Sequence, residues 1–261
     1  MYRYNESAYY KMNTNRESDY TINKKLDCNR NGEITMILRR KIYNKLLAWK
    51  KECMGSKAIL VEGARRIGKS TVCEEFGKNE YKSYIVIDFA RASDDVKEYF
   101  EKQLNDLDTF YMLISASYGK KLYHRDSLII FDEVQVFPKA REAIKYLVKD
   151  GRYDFIETGS LISIKENVKD IVIPSEERHI KMYPLDFEEF AEALGEKQLT
   201  DYIRNCFEKR IPLERALHNQ AMLLFKQYIL IGGMPQSVVL FIENNKDFEL
   251  SDQEKRDILQ L

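Results

Sequence analysis

The chain has 261 residues, 44% of them apolar and 32% charged, with 42 Lys+Arg against 42 Asp+Glu. That length supplies one large domain or two modest ones with chain enough for a core, and the composition is that of a soluble globular protein. Zero net charge argues against bulk electrostatic capture of nucleic acid or anionic membrane and leaves open only a local basic patch. Apolar runs such as Met222–Phe225 and Val238–Ile242 fall far short of the roughly 18 residues a membrane span needs. Met1-Tyr2-Arg3-Tyr4-Asn5-Glu6 leads into no apolar core, so no secretory signal is expected. Cys28, Cys53, Cys73 and Cys206 lie far apart with no C-x-x-C pair, which argues against a zinc ribbon and for a reducing cytoplasm.

In chain order, residues 1–33 are rich in Asn and Tyr and show no sustained period, which predicts a disordered tail. Globular pattern begins at Ile34, and the spacing of Ile37, Leu38, Ile42, Leu46, Leu47 and Trp49 predicts a helix over Ile37–Trp49. Strands are expected at Ala58–Glu62, Tyr84–Asp88, Leu128–Asp132, Asp154–Thr158 and Ile180–Tyr183. Between them come helices over Ser70–Phe76, from Ser93 or Asp94 to Leu104, from Asp106 or Asp108 to Ala116, and over Pro138–Val148. Short buried runs alternating with helices signify a parallel α/β sheet. Beyond Pro184 only helices are predicted: Phe187–Leu194, Thr200–Lys209, Leu213–Ile231 and Gln236–Glu243.

Gly63-Ala64-Arg65-Arg66-Ile67-Gly68-Lys69-Ser70 fits G-x-x-x-x-G-K-[ST] in full, with a strand running in and a helix running out. The glycines let the backbone turn so that successive N–H groups face phosphates, and the helix start adds its positive end. Lys69 is expected on the β- and γ-phosphates of a nucleotide, Ser70 on Mg²⁺, and Thr71 to assist through its N–H. Arg65 and Arg66 either touch phosphate or line the loop surface.

Phe131-Asp132-Glu133 ends an apolar strand in two acids, at the carboxyl end where open parallel sheets bind ligands. Asp132 is expected to hold the metal through water and Glu133 to polarise an attacking water, a general-base role worth roughly 10²–10⁴-fold. Thr158 ends the next strand, either sensing a γ-phosphate or capping the strand. No Asn-Lys-x-Asp stands in register for guanine, and a small-molecule kinase keeps water from its γ-phosphate, so ATP hydrolysis fits the acidic pair better.

From about Met36 onward the chain resembles the predicted AAA+-superfamily ATPases of bacteria and archaea that carry an uncharacterised C-terminal domain. The resemblance rests on Leu38-Arg39-Arg40-Lys41-Ile42-Tyr43, the phosphate loop, Phe131-Asp132-Glu133-Val134-Gln135 and Ile156-Glu157-Thr158-Gly159-Ser160. Two further stretches carry it, Tyr183-Pro184-Leu185-Asp186-Phe187-Glu188-Glu189-Phe190 and Gly232-Gly233-Met234-Pro235. It implies an α/β P-loop three-layer sandwich of the additional-strand type, with the Thr158 strand between the phosphate-loop and Asp132 strands, followed by a helical lid. It also implies that Pro235 contacts adenine. Where wider relatives carry Gly-Arg, a candidate trans-acting arginine, this chain has Ser175-Glu176. That leaves Arg141 and Arg178 as candidate γ-phosphate sensors, with ion pairing to Glu142, Glu176 or Glu177 the simpler reading.

The layout expected is thus a disordered or spurious extension over 1–33, a P-loop ATPase core over 34–184, a helical lid over 185–245, and the start of a truncated further domain over 246–261. Partners would be ATP with Mg²⁺ and, through the further domain, a protein or a second copy. Nucleic acid has no support from charge. His124, His179 and His218 form no metal spacing, and the tyrosines are dispersed. Two readings of function remain: a Mg²⁺-dependent ATPase whose turnover moves the lid, or a nucleotide-dependent scaffold with negligible hydrolysis.

Overall fold

The computed structural model describes residues 25–28, 34–160 and 176–259. Of the stretch expected to be disordered only Lys25–Cys28 falls within these; the rest of it, and Ser175, lie outside the described residues. The chain divides into two units, Met1–Ile37 and Leu38–Leu261. In the first, β1 (Lys25–Cys28) pairs antiparallel with β2 (Ile34–Ile37). Strands this short offer too few positions to display alternation in a sequence.

The second unit is built on five parallel strands: β3 (Ala58–Gly63), β4 (Ser83–Asp88), β5 (Ser127–Asp132), β6 (Asp154–Ser160) and β7 (Glu177–Lys181). Their order across the sheet is β4-β5-β6-β3-β7, so β6 lies between the phosphate-loop strand and the Asp132 strand, as the resemblance implied. Every residue of β5 and β6 is buried, because a parallel strand inside such a sheet is covered on both faces. The edge strand β7, Glu177-Arg178-His179-Ile180-Lys181, is mostly polar, which suits an edge.

Alternation splits β3 between two cores. Ala58 and Leu60 join Phe89, Phe100, Phe110 and Phe131 under the helices of one face. Ile59 and Val61 join Trp49, Phe76 and Tyr43 under those of the other. The first face carries α3 (Asp94–Lys102), α4 (Leu107–Tyr118) and α5 (Pro138–Asp150); the second carries α1 (Ile42–Cys53) and α2 (Lys69–Glu80). Ser93 and Asp106 cap α3 and α4 by accepting from Val96 N and Thr109 N, and Pro138 opens α5.

Several expected boundaries moved, among them the end of α2 (Phe76 expected, Glu80 found), the end of β6 (Thr158 expected, Ser160 found) and the start of β7 (Ile180 expected, Glu177 found). Two further shifts trace to Arg40. The helix predicted from Ile37 starts only at Ile42, because Arg40 and Lys41 are drawn to Glu189, whose Oε1 accepts from the Lys41 N–H at 2.6 Å. The strand predicted over Ile180–Tyr183 ends at Lys181. Met182 N still donates to Glu62 O at 2.8 Å, but the Tyr183 carbonyl accepts from Arg40 and Pro184 has no N–H to give.

Helices follow: α6 (Phe187–Ala193), α7 (Lys197–Lys209), α8 (Arg215–Ile231), α9 (Pro235–Glu243) and α10 (Phe248–Leu259). They enclose a core of their own around Phe190, Leu224, Ile231, Val238 and Phe241. α10 packs back on this group, with the Phe241 and Phe248 rings 4.9 Å apart and Lys255 Nζ donating to Leu230 O at 2.7 Å. Among the described residues no helix is long and apolar enough to cross a membrane. The architecture is an α/β three-layer sandwich followed by a helical region.

Candidate functional site

The chain leaves β3 at Gly63 and enters α2 at Lys69, and the residues between form a loop around the helix start. Arg66 (φ 62°) and Gly68 (φ 87°) take left-handed backbone. Glycine does so freely, whereas the conformation costs Arg66 about 1–2 kcal/mol. Gly63 has ordinary backbone, so its place in the motif has a different cause from the one expected: a β-carbon there would lie 2.4 Å from the Met182 carbonyl oxygen. Ile67 is fully buried in the core under α1 and α2, leaving only its peptide for the loop, while Ala64, Arg65, Arg66 and Thr71 are exposed.

Lys69 is 5% exposed, and its ammonium donates to Gly63 O at 3.2 Å and Ala64 O at 2.7 Å. Burial pushes its pKa down, opposed by the carboxylates of Glu133 and Asp132. Ser70 Oγ, one residue along α2, donates to Asp132 Oδ1 at 2.8 Å. Thr158 Oγ1 donates to the same oxygen and accepts from the Glu133 N–H at 3.3 Å. β6 runs on to Ser160, so Thr158 does not cap the strand as one of its two expected roles required; from inside the strand its hydroxyl bridges Asp132 and the Glu133 N–H. Register produces the convergence, since β5 and β6 are neighbours and both end above the phosphate loop.

Glu133 itself has φ 55° and ψ 46°, then the chain turns through a short 3-10 helix at Val134–Val136. A glutamate in left-handed backbone is a strained residue at a strand end, where such strain clusters at functional sites. Its Oε2 accepts from Gln135 Nε2. Asp88, in register with Asp132 on β4, adds a half-buried carboxylate at the same end of the sheet. Pro235 begins α9 close to the loop: a β-carbon at position 68 would sit 3.9 Å from Pro235 Cγ.

Ser70 and Asp132 offer one neutral and one anionic oxygen side by side. That donor set suits Mg²⁺, which keeps several waters and takes one or two protein oxygens beside substrate phosphates. Among the described residues no group of three or more His, Cys, Asp or Glu gathers into an all-protein cage.

The two candidate arginines are elsewhere engaged. Arg141 is 2% exposed and grips Glu177 with Nε at 3.2 Å and Nη2 at 2.8 Å, and Glu177 lies in register with Ala58, at the far end of β3 from the loop. Arg178 pairs with Glu52 at 2.7 Å. Both are ion-paired, but not as surface partners of Glu142, Glu176 and Glu177: Arg141 takes Glu177 in a buried site, and the partner of Arg178 is Glu52. Sequence reasoning assigned no role to Arg40 or Gln135, although both stand in stretches it singled out. Arg40 is 7% exposed and donates to the Ile67 carbonyl of the phosphate loop at 2.7 Å.

The sequence model of the AAA domain matches residues 55–191, more than half of the chain. Among solved structures the chain is similar to AMPPCP-bound DnaA from Aquifex aeolicus, at 14% identity over 86% of this chain and 69% of that one, with a TM-score of 0.43. It is similar to the Orc1 protein of Aeropyrum pernix in complex with DNA, at 11% identity over 75% and 68%, TM-score 0.40. It is also similar to C. elegans PCH-2, at 12% identity over 86% and 70%, TM-score 0.36. No curated protein matches. With its phosphate loop, acidic strand end and matching domain, the chain belongs to the AAA domain family of P-loop ATPases.

Proposed function

We propose that the chain binds ATP between the phosphate loop and the helical region and hydrolyses it to ADP and phosphate. The observation that carries this is the cluster at the sheet's carboxyl end: Ser70 on Asp132 at 2.8 Å, with Glu133 the next residue in strained backbone. In this reading the backbone N–H groups of Gly63–Ser70 and the Lys69 ammonium bind the phosphates, Thr71 adds its N–H, and Pro235 lies against adenine. Arg65 and Arg66 are exposed on the same loop, and Arg65 acts electrostatically on Lys69. Mg²⁺, held by Ser70 and through water by Asp132, would supply charge neutralisation between phosphates.

Glu133 accepts the proton of the attacking water, and Gln135 and the αL backbone set where its carboxylate points. Thr158 positions Asp132 and the Glu133 N–H together, so a shift at the γ-phosphate would be felt on β6. Residues 185–245 serve as a lid over the nucleotide. The engagement of Arg141 and Arg178 by carboxylates favours, as a second reading, a nucleotide switch whose hydrolysis is slow until a partner or a second copy supplies an arginine.

Phosphate release with Mg-ATP, measured beside nucleotide affinity for the parent, Glu133→Gln and Lys69→Ala, separates the two. The ATPase reading expects Glu133→Gln to bind ATP and lose about 10²–10⁴-fold in rate. Tight binding by a parent no faster than Glu133→Gln favours the switch. A parent that binds no nucleotide removes both.

A further inference from the structure

Three separated stretches of the sequence meet beside the phosphate loop. Arg39, Arg40 and Lys41 face the acidic stretch at 186–192 residue by residue. Arg39 pairs with Glu192 at 3.8 Å, Arg40 with Glu189 at 3.3 Å, and Lys41 with Asp186 and Glu188 at 2.5 Å each. The third stretch joins through Gly233, whose carbonyl accepts from Leu185 N at 2.7 Å. The exposed pairs of this zipper are worth little each. Arg40 is different, because it is buried and its fork reaches three elements at once: Nε to Glu189, Nη2 to the Tyr183 carbonyl at 2.5 Å, and Nη1 to the Ile67 carbonyl at 2.7 Å.

The last of these bonds has a stereochemical consequence. A trans peptide is planar, with its C=O and N–H pointing in opposite directions. Whatever holds the Ile67 carbonyl therefore also aims the Gly68 N–H. That peptide is the one in the loop most free to rotate, since it precedes a glycine at φ 87°, which tolerates either sign.

We infer that Arg40 is a positioning residue of the nucleotide site: by holding the Ile67 carbonyl it locks the Ile67–Gly68 peptide so that the Gly68 N–H faces phosphate. Its other two bonds tie that peptide to the strand exit at Tyr183 and to the helix cap at Glu189, so the loop and the helical region share one guanidinium. This role rests on the reading of the loop as a nucleotide site. Arg40 touches no reacting atom; it acts through the peptide it holds.

The test is equilibrium binding of fluorescent ATP and ADP analogues to the parent, Arg40→Ala, Arg40→Lys and Glu189→Gln, with thermal unfolding of each to establish that it is folded. Arg40→Ala is expected to weaken both nucleotides about 10- to 100-fold, the scale of one charge-assisted phosphate contact. Arg40→Lys has a single head that cannot span Ile67 and Glu189, and should fall between Arg40→Ala and the parent. Glu189→Gln takes the charge out of the link to the helical region, leaving at most a neutral amide acceptor, but leaves the Ile67 bond, so its affinity should stay within about 3-fold of the parent.

Parental affinity in folded Arg40→Ala overturns the role, and so does a Glu189→Gln loss as large as that of Arg40→Ala, which would make the guanidinium a mere anchor of the helices. If Arg40→Ala does not fold, Arg40→Lys decides: parental affinity overturns the role and an intermediate loss supports it. A parent that binds neither analogue overturns the nucleotide reading itself, an outcome separate from these.

Discussion

Glu157 lies on β6 one residue before Thr158, fully buried, and among the described residues neither of its carboxylate oxygens has a hydrogen-bond partner. Arg141 Nε lies 3.9 Å away but directs its fork at Glu177, which also pairs with His179 at 2.7 Å. Burial raises the Glu157 carboxyl well above the usual range, Glu177 reinforces the rise, and Arg141 opposes it. The unfolded chain releases this proton near the ordinary value of 4.5, whereas the folded protein keeps it to higher pH. The folded state therefore binds more protons in that window, and the contribution to stability is full below the ordinary value and lost as pH rises. Glu157→Gln removes the titration while keeping the shape. Denaturant unfolding from about pH 5 to 8 should show the parent losing stability relative to the variant, by up to about 1.4 kcal/mol per pH unit. Parallel curves would show that Arg141 holds the carboxylate ionised throughout.

At the level of elements, the capping box of α6 is where local sequence and distant contact coincide. Asp186 accepts from Glu189 N at 2.9 Å, Glu189 returns a bond from Asp186 N at 3.2 Å, and Lys41 sits on Asp186 from outside. Asp186→Ala should cost about 1 kcal/mol in thermal unfolding, and Asp186→Asn, which keeps a cap but no charge, should restore most of it. If Asn is as damaging as Ala, the ion pair matters and the cap does not. Elements governed by such local signals were legible. Ser93 and Asp106 mark helix starts, Pro138 opens α5, and unbroken apolar runs mark the buried strands. The phosphate loop and the Asp132-Glu133 pair were legible for the same reason, because each is a short stretch with its own chemistry. The start of α1 and the end of β7 were not, since both depend on Arg40, whose carboxylate partner lies 149 residues away. In sequence Arg40 stands between two other cations and reads as solvated surface. The positive φ of Glu133 was hidden too, as nothing in Asp-Glu-Val-Gln announces a left-handed residue.

On the scale of the whole molecule, the sheet and the helical region have separate cores, and their polar seam runs through the phosphate loop. On the proposed reading a nucleotide seated there contacts both parts, so binding should stabilise the molecule as a whole and not the loop alone. Linkage sets the size: ligand at 100 times its Kd adds about 2.7 kcal/mol to the folded state. For a chain of this length that is an upward shift in Tm of about 5–10 °C. The shift should appear with Mg-ATP in the parent and in Glu133→Gln, where slower turnover keeps the ligand intact, and should vanish in Lys69→Ala, whose phosphates have lost their buried cation. Calorimetry distinguishes the alternatives by the shape of the transition. One peak moving upward intact means that sheet and helices melt together and that the seam is rigid. A peak that splits, with only the sheet's component rising, would mean that the helical region does not close on the nucleotide, and the proposed lid would have to be given up.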